Sequence, residues 1–353
     1  MTAIACTLMR GGTSKGAFLL ADALPRDVVE RDRVLLRIMG TPDPRQIDGI
    51  GGGHPLTSKV AIVSPSDHPQ ADVDYLFLQI GVDNAVVSSA QNCGNLLAGV
   101  GPFAVDQGLV PAGAEHTAVR IRMLNSDGSA TSTFPTPGGE VDLTGSCEIA
   151  GVPGTAAPIS IEFDDTAGST CGALLPTGNV VDLVDGVEVT CVDNGMPVVV
   201  IAAADLGVTG YESPDALEAD TVLAARLADI RRQASKLMGL RDDENSTVPK
   251  ITLVATPQGS GVLSTRTFIP VRCHTAIGVL GALTVGTAAR IPGSVADRAS
   301  VHRDGGVVRI EHPTGYFDVD VELTSVDGPG VQVERGAVIR TARKLFEGQV
   351  FTK

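Results

Sequence analysis

The strongest constraint on the fold is that the order of motifs along the chain occurs twice. A strand, glycine turn and second apolar strand, CTLMRGGTSKGAFLLADALP at 6–25, is answered by CVDNGMPVVVIAAADLG at 191–207. An amphipathic stretch at 27–39, with apolar Val28, Leu35, Ile38 and Met39, is answered by a longer one at 214–238. SKVAIVSP at 58–65 matches PKITLVATP at 249–257, CGNLLAGVG at 93–101 matches CHTAIGVLG at 273–281, and VRI at 119–121 recurs at 308–310. Each match is short, but five in one order mark an internal duplication. Two similar halves are therefore expected: 1–165 completed by 340–353, and 166–339. A chain of 353 residues also exceeds one ordinary core.

Composition narrows the class. The 41 glycines, 21 prolines and lack of Trp call for many short strands and turns. A net charge of −14 argues against nucleic acid or an anionic membrane as partner, but not against a small anion, because local cations and helix ends govern a cleft. The six cysteines are scattered without a CxxC pair, which suits reduced thiols. No run reaches the length of a membrane span, and the opening MTAIACTLMRGG has no basic flank with an apolar core, so a cytoplasmic location is expected.

The chemistry-bearing stretch is QNCGN at 91–95, which puts Cys93 at the first turn of a small-residue apolar helix. Unpaired N–H groups and the peptide dipoles make a helix start suit an anion, and favour a thiolate there. A buried, inert cysteine fits the letters equally well. RGGTSKG at 10–16 is a turn rich in glycine, hydroxyls and cations but lacks phosphate-loop spacing, and a plain hairpin also accounts for it. The glycine-dense segment 46–55 reads as a loop. Lys59 is an oddity within the apolar strand 56–63; such lysines ordinarily reach solvent at a sheet edge. If both halves thread an apolar helix through a sheet and meet about a pseudo-twofold axis, the starts near Cys93 and Cys273 would face one cleft suited to polycarboxylates.

Secondary candidates are weaker. His54 is a loop histidine, and His68, His116, His302 and His312 lack metal spacing. Asp48 is a candidate to hold Lys59 or the loop, while Arg266 and Arg272 flank the expected second helix start and would suit a tricarboxylate, although strand-edge arginines ordinarily face water. The acidic runs at 164–165 and 242–244 read as solvated loops.

The order MRGGTSKG at 9–16, QIDGIGG at 46–52, LTSKVAI at 56–62, QNCGN, CGALLPTGN at 171–179, DNGMPVV at 193–199 and FIPVRCH at 268–274 resembles the methylaconitate isomerase group of the diaminopimelate epimerase-like fold. Within that group it is similar to the tautomerase branch serving gallate and protocatechuate ring cleavage. The resemblance runs from residue 3 nearly to the C-terminus. It implies an α+β fold of two pseudo-symmetric, mainly antiparallel β domains, each a barrel-like sheet on a central helix. It also implies a cofactor-independent proton shift beside a carboxylate, with no metal and no organic cofactor.

Carried over residue by residue, it implies Lys59 and Cys93 as the acid/base pair. It further implies substrate contacts from Thr13, Ser14, Asn92, Gly94 and Asn95, and from Asn194, Gly195, Arg272, Cys273, His274 and Thr275. The epimerases of this fold place glycine and threonine after the second cysteine, so RCH at 272–274 departs from the racemising pattern. The expected partner is a small polycarboxylate, with a homodimer as the candidate assembly.

A 1,3-proton shift needs a base, a site that steadies a dienolate, and an acid two carbons away. A lysine serves as base only when neutral, so burial or cations such as Arg10 and Lys15 would have to favour the neutral amine. Either Lys59 or Cys93 would return the proton. Alternatives are a methylaconitate-type cis-trans isomerase or a two-cysteine epimerase on the same scaffold, and a non-catalytic carboxylate binder.

Overall fold

A computed structural model describes residues 2–241, 246–301, 306–325 and 331–352. His302 and the acidic run at 242–244 lie outside the described residues. The fold class is α+β, as expected, and the chain folds as two compact units, Met1–Asp164 with Arg340–Lys353, and Asp165–Ile339. No described helix is long and apolar enough to cross a membrane.

In the first unit, strands β1 (Thr2–Gly11) and β2 (Ser14–Leu20) form a hairpin. Helix α1 (Val28–Met39) follows, capped by Asp27, whose side chain accepts the Glu30 N–H, and stopped by left-handed Gly40. The chain returns through a glycine-rich loop to β3 (Lys59–Pro65), parallel to β2, and doubles back antiparallel as β4 (Val73–Ile80). A two-residue strand β5 (Val87–Ser88) leads into α2 (Gly94–Asp106). Then come the hairpin β6 (His116–Met123) and β7 (Gly128–Pro135), strand β8 (Ile159–Phe163), and the C-terminal strand Ala342–Thr352 beside β1.

Helix α2 packs on β1, β2, β3, β4, β6 and β7, so the sheet wraps it. This is why its sequence is small and apolar on every side: residues 96–104 are all buried. A Cβ at Gly99 would stand 2.7 Å from the Phe18 ring, so that face accepts only glycine without movement. Leu96, Leu97 and Phe103 each contribute about 1.5–3 kcal/mol by leaving water. The sheet's other face carries a separate core of Ala17, Leu19, Val60, Ile62, Leu78 and Ile80 with Leu35, Ile38 and Met39 of α1.

The second unit runs in the same order. It has β9 (Asp182–Val184), a hairpin of β10 (Val187–Asp193) and β11 (Pro197–Ala202), and helices α3 (Pro214–Ala219) and α4 (Thr221–Leu237). Strand β12 (Lys250–Ala255) lies parallel to β11, followed by antiparallel β13 (Leu263–Ile269) and the two-residue β14 (Arg272–Cys273). The apolar helix α5 (Val279–Ala288), a short α6 (Val295–Ala299), the hairpin β15 (Val307–His312) and β16 (Gly315–Ser325), and β17 (Val331–Arg340) complete it.

Two expectations are corrected. The third strand of the first unit starts at Lys59, because 55–57 form a 3-10 turn begun by Pro55. Cys273, His274 and Thr275 are not at a helix start, because Cys273 pairs with Phe268 in β14 and α5 begins only after Gly278.

Candidate active site

In the first unit the sequence candidates converge on the start of α2. Cys93 is its N-cap residue, 8% exposed, and its side chain makes no capping hydrogen bond. With no capping bond from the Cys93 side chain, that end keeps donors for an anion. The β1–β2 turn sits directly on this first helical turn. A Cβ on Gly11 would stand 2.4 Å from the Asn95 carbonyl oxygen, and one on Gly12, at φ +51°, 2.1 Å from Asn95 Oδ1. Asn95 Nδ2 donates to Thr13 Oγ1 at 3.2 Å, and the Thr13 N–H donates to Asn95 Oδ1 at 3.4 Å. Ser14 is buried with a hydroxyl that has no partner. Asn92 is exposed and donates to Ser126 Oγ at 2.6 Å, a contact across to the β6–β7 turn.

Lys59 is not at a sheet edge. Strand β3 lies between β2 and β4, and the residue is 7% exposed. Register sets the face: Lys59 pairs with Gln79, Ala61 with Phe77 and Val63 with Tyr75, alternating with the Val60 and Ile62 that pack towards α1. The lysine therefore lies on the α2 side of the sheet. Its Nζ donates to Gln79 Oε1 at 2.9 Å and stands 4.9 Å from the Phe77 ring centre. Two residues back along β4 on that face, the Tyr75 hydroxyl donates to the Cys93 carbonyl at 3.4 Å. Burial first, and Cys93 second, push the Tyr75 phenol well above its ordinary range, so it remains a donor.

Two assignments around Lys59 change. Its hydrogen-bond partner is Gln79, not Asp48. Arg10 and Lys15, proposed as perturbing cations, pair with each other in register one step from Gly16, the partner of Lys59, so they occupy the opposite face. Burial and neighbouring Arg343 lower the Arg10 value. Arg10, Lys15 and Arg343, with Thr13, Ser14 and Lys344, help line a cavity of about 890 Å³ whose lining includes neither Lys59 nor Cys93.

In the second unit, Asn194 is fully buried and its side chain is used on both sides. Thr166 Oγ1 donates to Oδ1 at 2.6 Å, and Nδ2 donates to Thr287 Oγ1 at 2.8 Å. It therefore fastens the β10–β11 turn to α5. Gly195 follows at φ +88°. The Cys273 N–H donates to Glu218 Oε1 at 2.9 Å. Burial pushes its thiol up to about 11, with Arg266 pulling down and Glu218 pushing up, so it is a thiol at neutral pH. His274 is lowered by burial and by Lys250, and its Nδ1 accepts the Ala276 N–H at 2.8 Å. Arg272 and Thr275 are exposed, whereas Arg266 is buried, donating to the Glu212 and Thr265 carbonyls.

Sequence reasoning missed Gln79, Tyr75 and Asn125. Asn125 accepts the Phe77 N–H at 2.8 Å and donates to the Phe77 and Ser89 carbonyls, both at 2.9 Å, tying β4 to the approach to α2. A polar Gln among the apolar letters of VDYLFLQI was the available signal.

With this geometry in view, the comparisons with known proteins are specific. The family model described as PrpF protein matches residues 1–353. The chain is 54% identical to the (4E)-oxalomesaconate Delta-isomerase of Novosphingobium sp. (strain KA1), over 99% of this chain and 98% of that one. It is 53% identical to the 4-oxalomesaconate tautomerase of Pseudomonas putida (strain KT2440), over 99% and 96%. A crystal structure of methylitaconate-delta-isomerase superposes with a TM-score of 0.88 at 40% identity, covering 99% of this chain and 95% of that one.

Proposed function

The chain belongs to the PrpF protein family and is an isomerase, and on that footing we propose that its reaction is a 1,3-proton shift on an unsaturated tricarboxylate of the 4-oxalomesaconate type, run by side chains. The Lys59 amine removes a proton from the acidic carbon and becomes an ammonium. The electron pair left behind delocalises into a dienolate, which the N–H groups at the start of α2 steady. Lys59 then delivers that proton two carbons away and is an amine again, or the Cys93 thiol delivers its own proton and the resulting thiolate recovers one from the Lys59 ammonium; either way the double bond moves and no charge is gained overall. Carboxylate contacts are assigned to Thr13, Ser14, Asn92, Gly94 and Asn95 of the first unit.

The observation that carries this reading is a buried lysine, on the same side of the sheet as a helix whose N-cap residue is a cysteine, held by a neutral carboxamide rather than a carboxylate. Cys273 pairs with Phe268 in β14 and does not stand at a helix start as Cys93 does, which weighs against a two-cysteine epimerase. Proton NMR in deuterated water, with 4-oxalomesaconate and 2-methylaconitate offered separately, is the test. Deuterium at the allylic carbon of the former is expected. Label at a stereocentre, a change of double-bond geometry alone, or exchange of no substrate proton would each replace this function with another.

A further inference from the structure

We infer that Gln79 is a positioning residue for the proton transfer, fixing the Lys59 amine through an acceptor that carries no charge; this rests on Lys59 being the base. The Gln79 carboxamide is held in one orientation. Its Nε2 donates to the carbonyls of Ser58 at 3.0 Å, Pro55 at 3.1 Å and Ile80 at 3.3 Å. Three carbonyl oxygens around one end of the amide require the nitrogen there, which leaves Oε1 as the atom 2.9 Å from Nζ. Two of these carbonyls, Pro55 and Ser58, tie the glutamine to the 3-10 turn that delivers the chain into β3, so the side chain that accepts from the amine is itself fastened to the start of the lysine's strand.

The choice of partner matters chemically. A buried lysine beside a carboxylate is held as the cation and cannot accept a proton, while a buried lysine without any acceptor loses its fixed direction. A carboxamide avoids both. It takes one N–H and leaves the remaining positions on nitrogen free. Within the first unit, the titratable groups on the elements around Lys59 are few. Cys93 stands at the start of α2 and Tyr75 on β4. Lys15 of β2 and Asp74 of β4, which accepts from Ser66, occupy the other face. His54 is exposed in the preceding turn, and Asp106 ends α2 beside Lys344. Gln79 is thus the group whose charge state can be changed by one atom at Nζ.

The test is the pH dependence of kcat/KM on 4-oxalomesaconate for wild type, Gln79→Glu and Gln79→Met, each checked for an intact fold by thermal melting, with Lys59→Met run alongside. Gln79→Glu should move the acid limb of the profile up by about one pH unit or more. Gln79→Met, which removes the acceptor without adding charge, should move it down and lower kcat about tenfold, with KM changed less than about twofold. Opposite shifts are not the signature of a damaged scaffold. Folded variants whose acid limbs stay at the wild-type position, or move in the same direction, overturn the inference. If Gln79→Glu does not fold, the Gln79→Met limb decides: moved down supports the role, unmoved removes it. Wild-type turnover by Lys59→Met is a separate result that removes the base assignment itself.

Discussion

In each unit the strand that lies parallel to the second strand of the opening hairpin begins with a lysine, and the two lysines have different surroundings. Lys59 opens β3 and pairs in register with Gln79. Lys250 opens β12, where register places Ile269 in the corresponding position, and among the described residues it has no hydrogen-bond partner. Burial, and then Arg231, lower the Lys250 amine, so by readiness to be neutral alone Lys250 is a rival base. What it lacks is an acceptor that fixes its direction and a cysteine at the N-cap of the helix on its side of the sheet. The neighbour it does have, His274, is itself lowered by burial and by Lys250. Duplication preserved the position of the amine, and the two copies diverged in what holds it.

The helix starts sharpen the same contrast and should give a large difference in activity. Cys93 and Gly278 are the N-cap residues of the two central helices, and neither makes a side-chain capping bond. Cys93→Ala should lower kcat about a hundredfold, a loss of the size expected for an acid/base group, with little change in melting temperature. Gly278→Ala should cost about 1 kcal/mol of stability and leave kcat within about twofold. Equal losses of activity from the two would erase the asymmetry.

Smaller effects are expected at the turns. In Gly11→Ala the new Cβ meets backbone, 2.4 Å from the Asn95 oxygen, so the hairpin and α2 must separate; a loss of about 1–3 kcal/mol is expected by denaturant melting. In Gly195→Ala the nearest atoms are side-chain carbons at 3.2 and 3.3 Å, leaving mainly the strain of φ +88°. That should cost about 1 kcal/mol. A larger loss at Gly195 than at Gly11 would reverse the ranking.

The weakest difference lies in alkaline stability. Burial pushes Cys171 and Cys191 in the second unit, and Cys6 in the first, up to about 12, and Cys273 to about 11. The unfolded chain releases these protons from about pH 9. The stability these thiols contribute is therefore complete below pH 9 and declines as pH rises towards 11 and 12. The melting temperature should fall over that range, and Cys191→Ala should flatten the slope. An unchanged slope would remove the thiols from the account.

How much of this was legible in the sequence depends on whether a feature is local. The duplicated order, the apolar central helices and the capped α1 were readable, because each is written in neighbouring residues: Asp27 before an amphipathic stretch, Gly40 after it, small residues through 94–106. The second helix start was misplaced. Matching Cys273-His274-Thr275 to Cys93-Gly94-Asn95 by letter cannot show that the chain spends Cys273 on a strand pair with Phe268 and begins the helix after Gly278. The partner of Lys59 was equally out of reach. Gln79 is brought to it by β3–β4 register, and Asp48, nearer in sequence, is not the residue that holds it.

The most direct measurement is deuterium exchange at the allylic carbon of 4-oxalomesaconate, followed by NMR with Lys59→Met and Lys250→Met proteins of wild-type fold. Exchange should fall at least about a hundredfold in Lys59→Met and stay within about threefold of wild type in Lys250→Met. Near-wild-type exchange by Lys59→Met, or its loss only in Lys250→Met, would contradict the assignment of the base to the first unit.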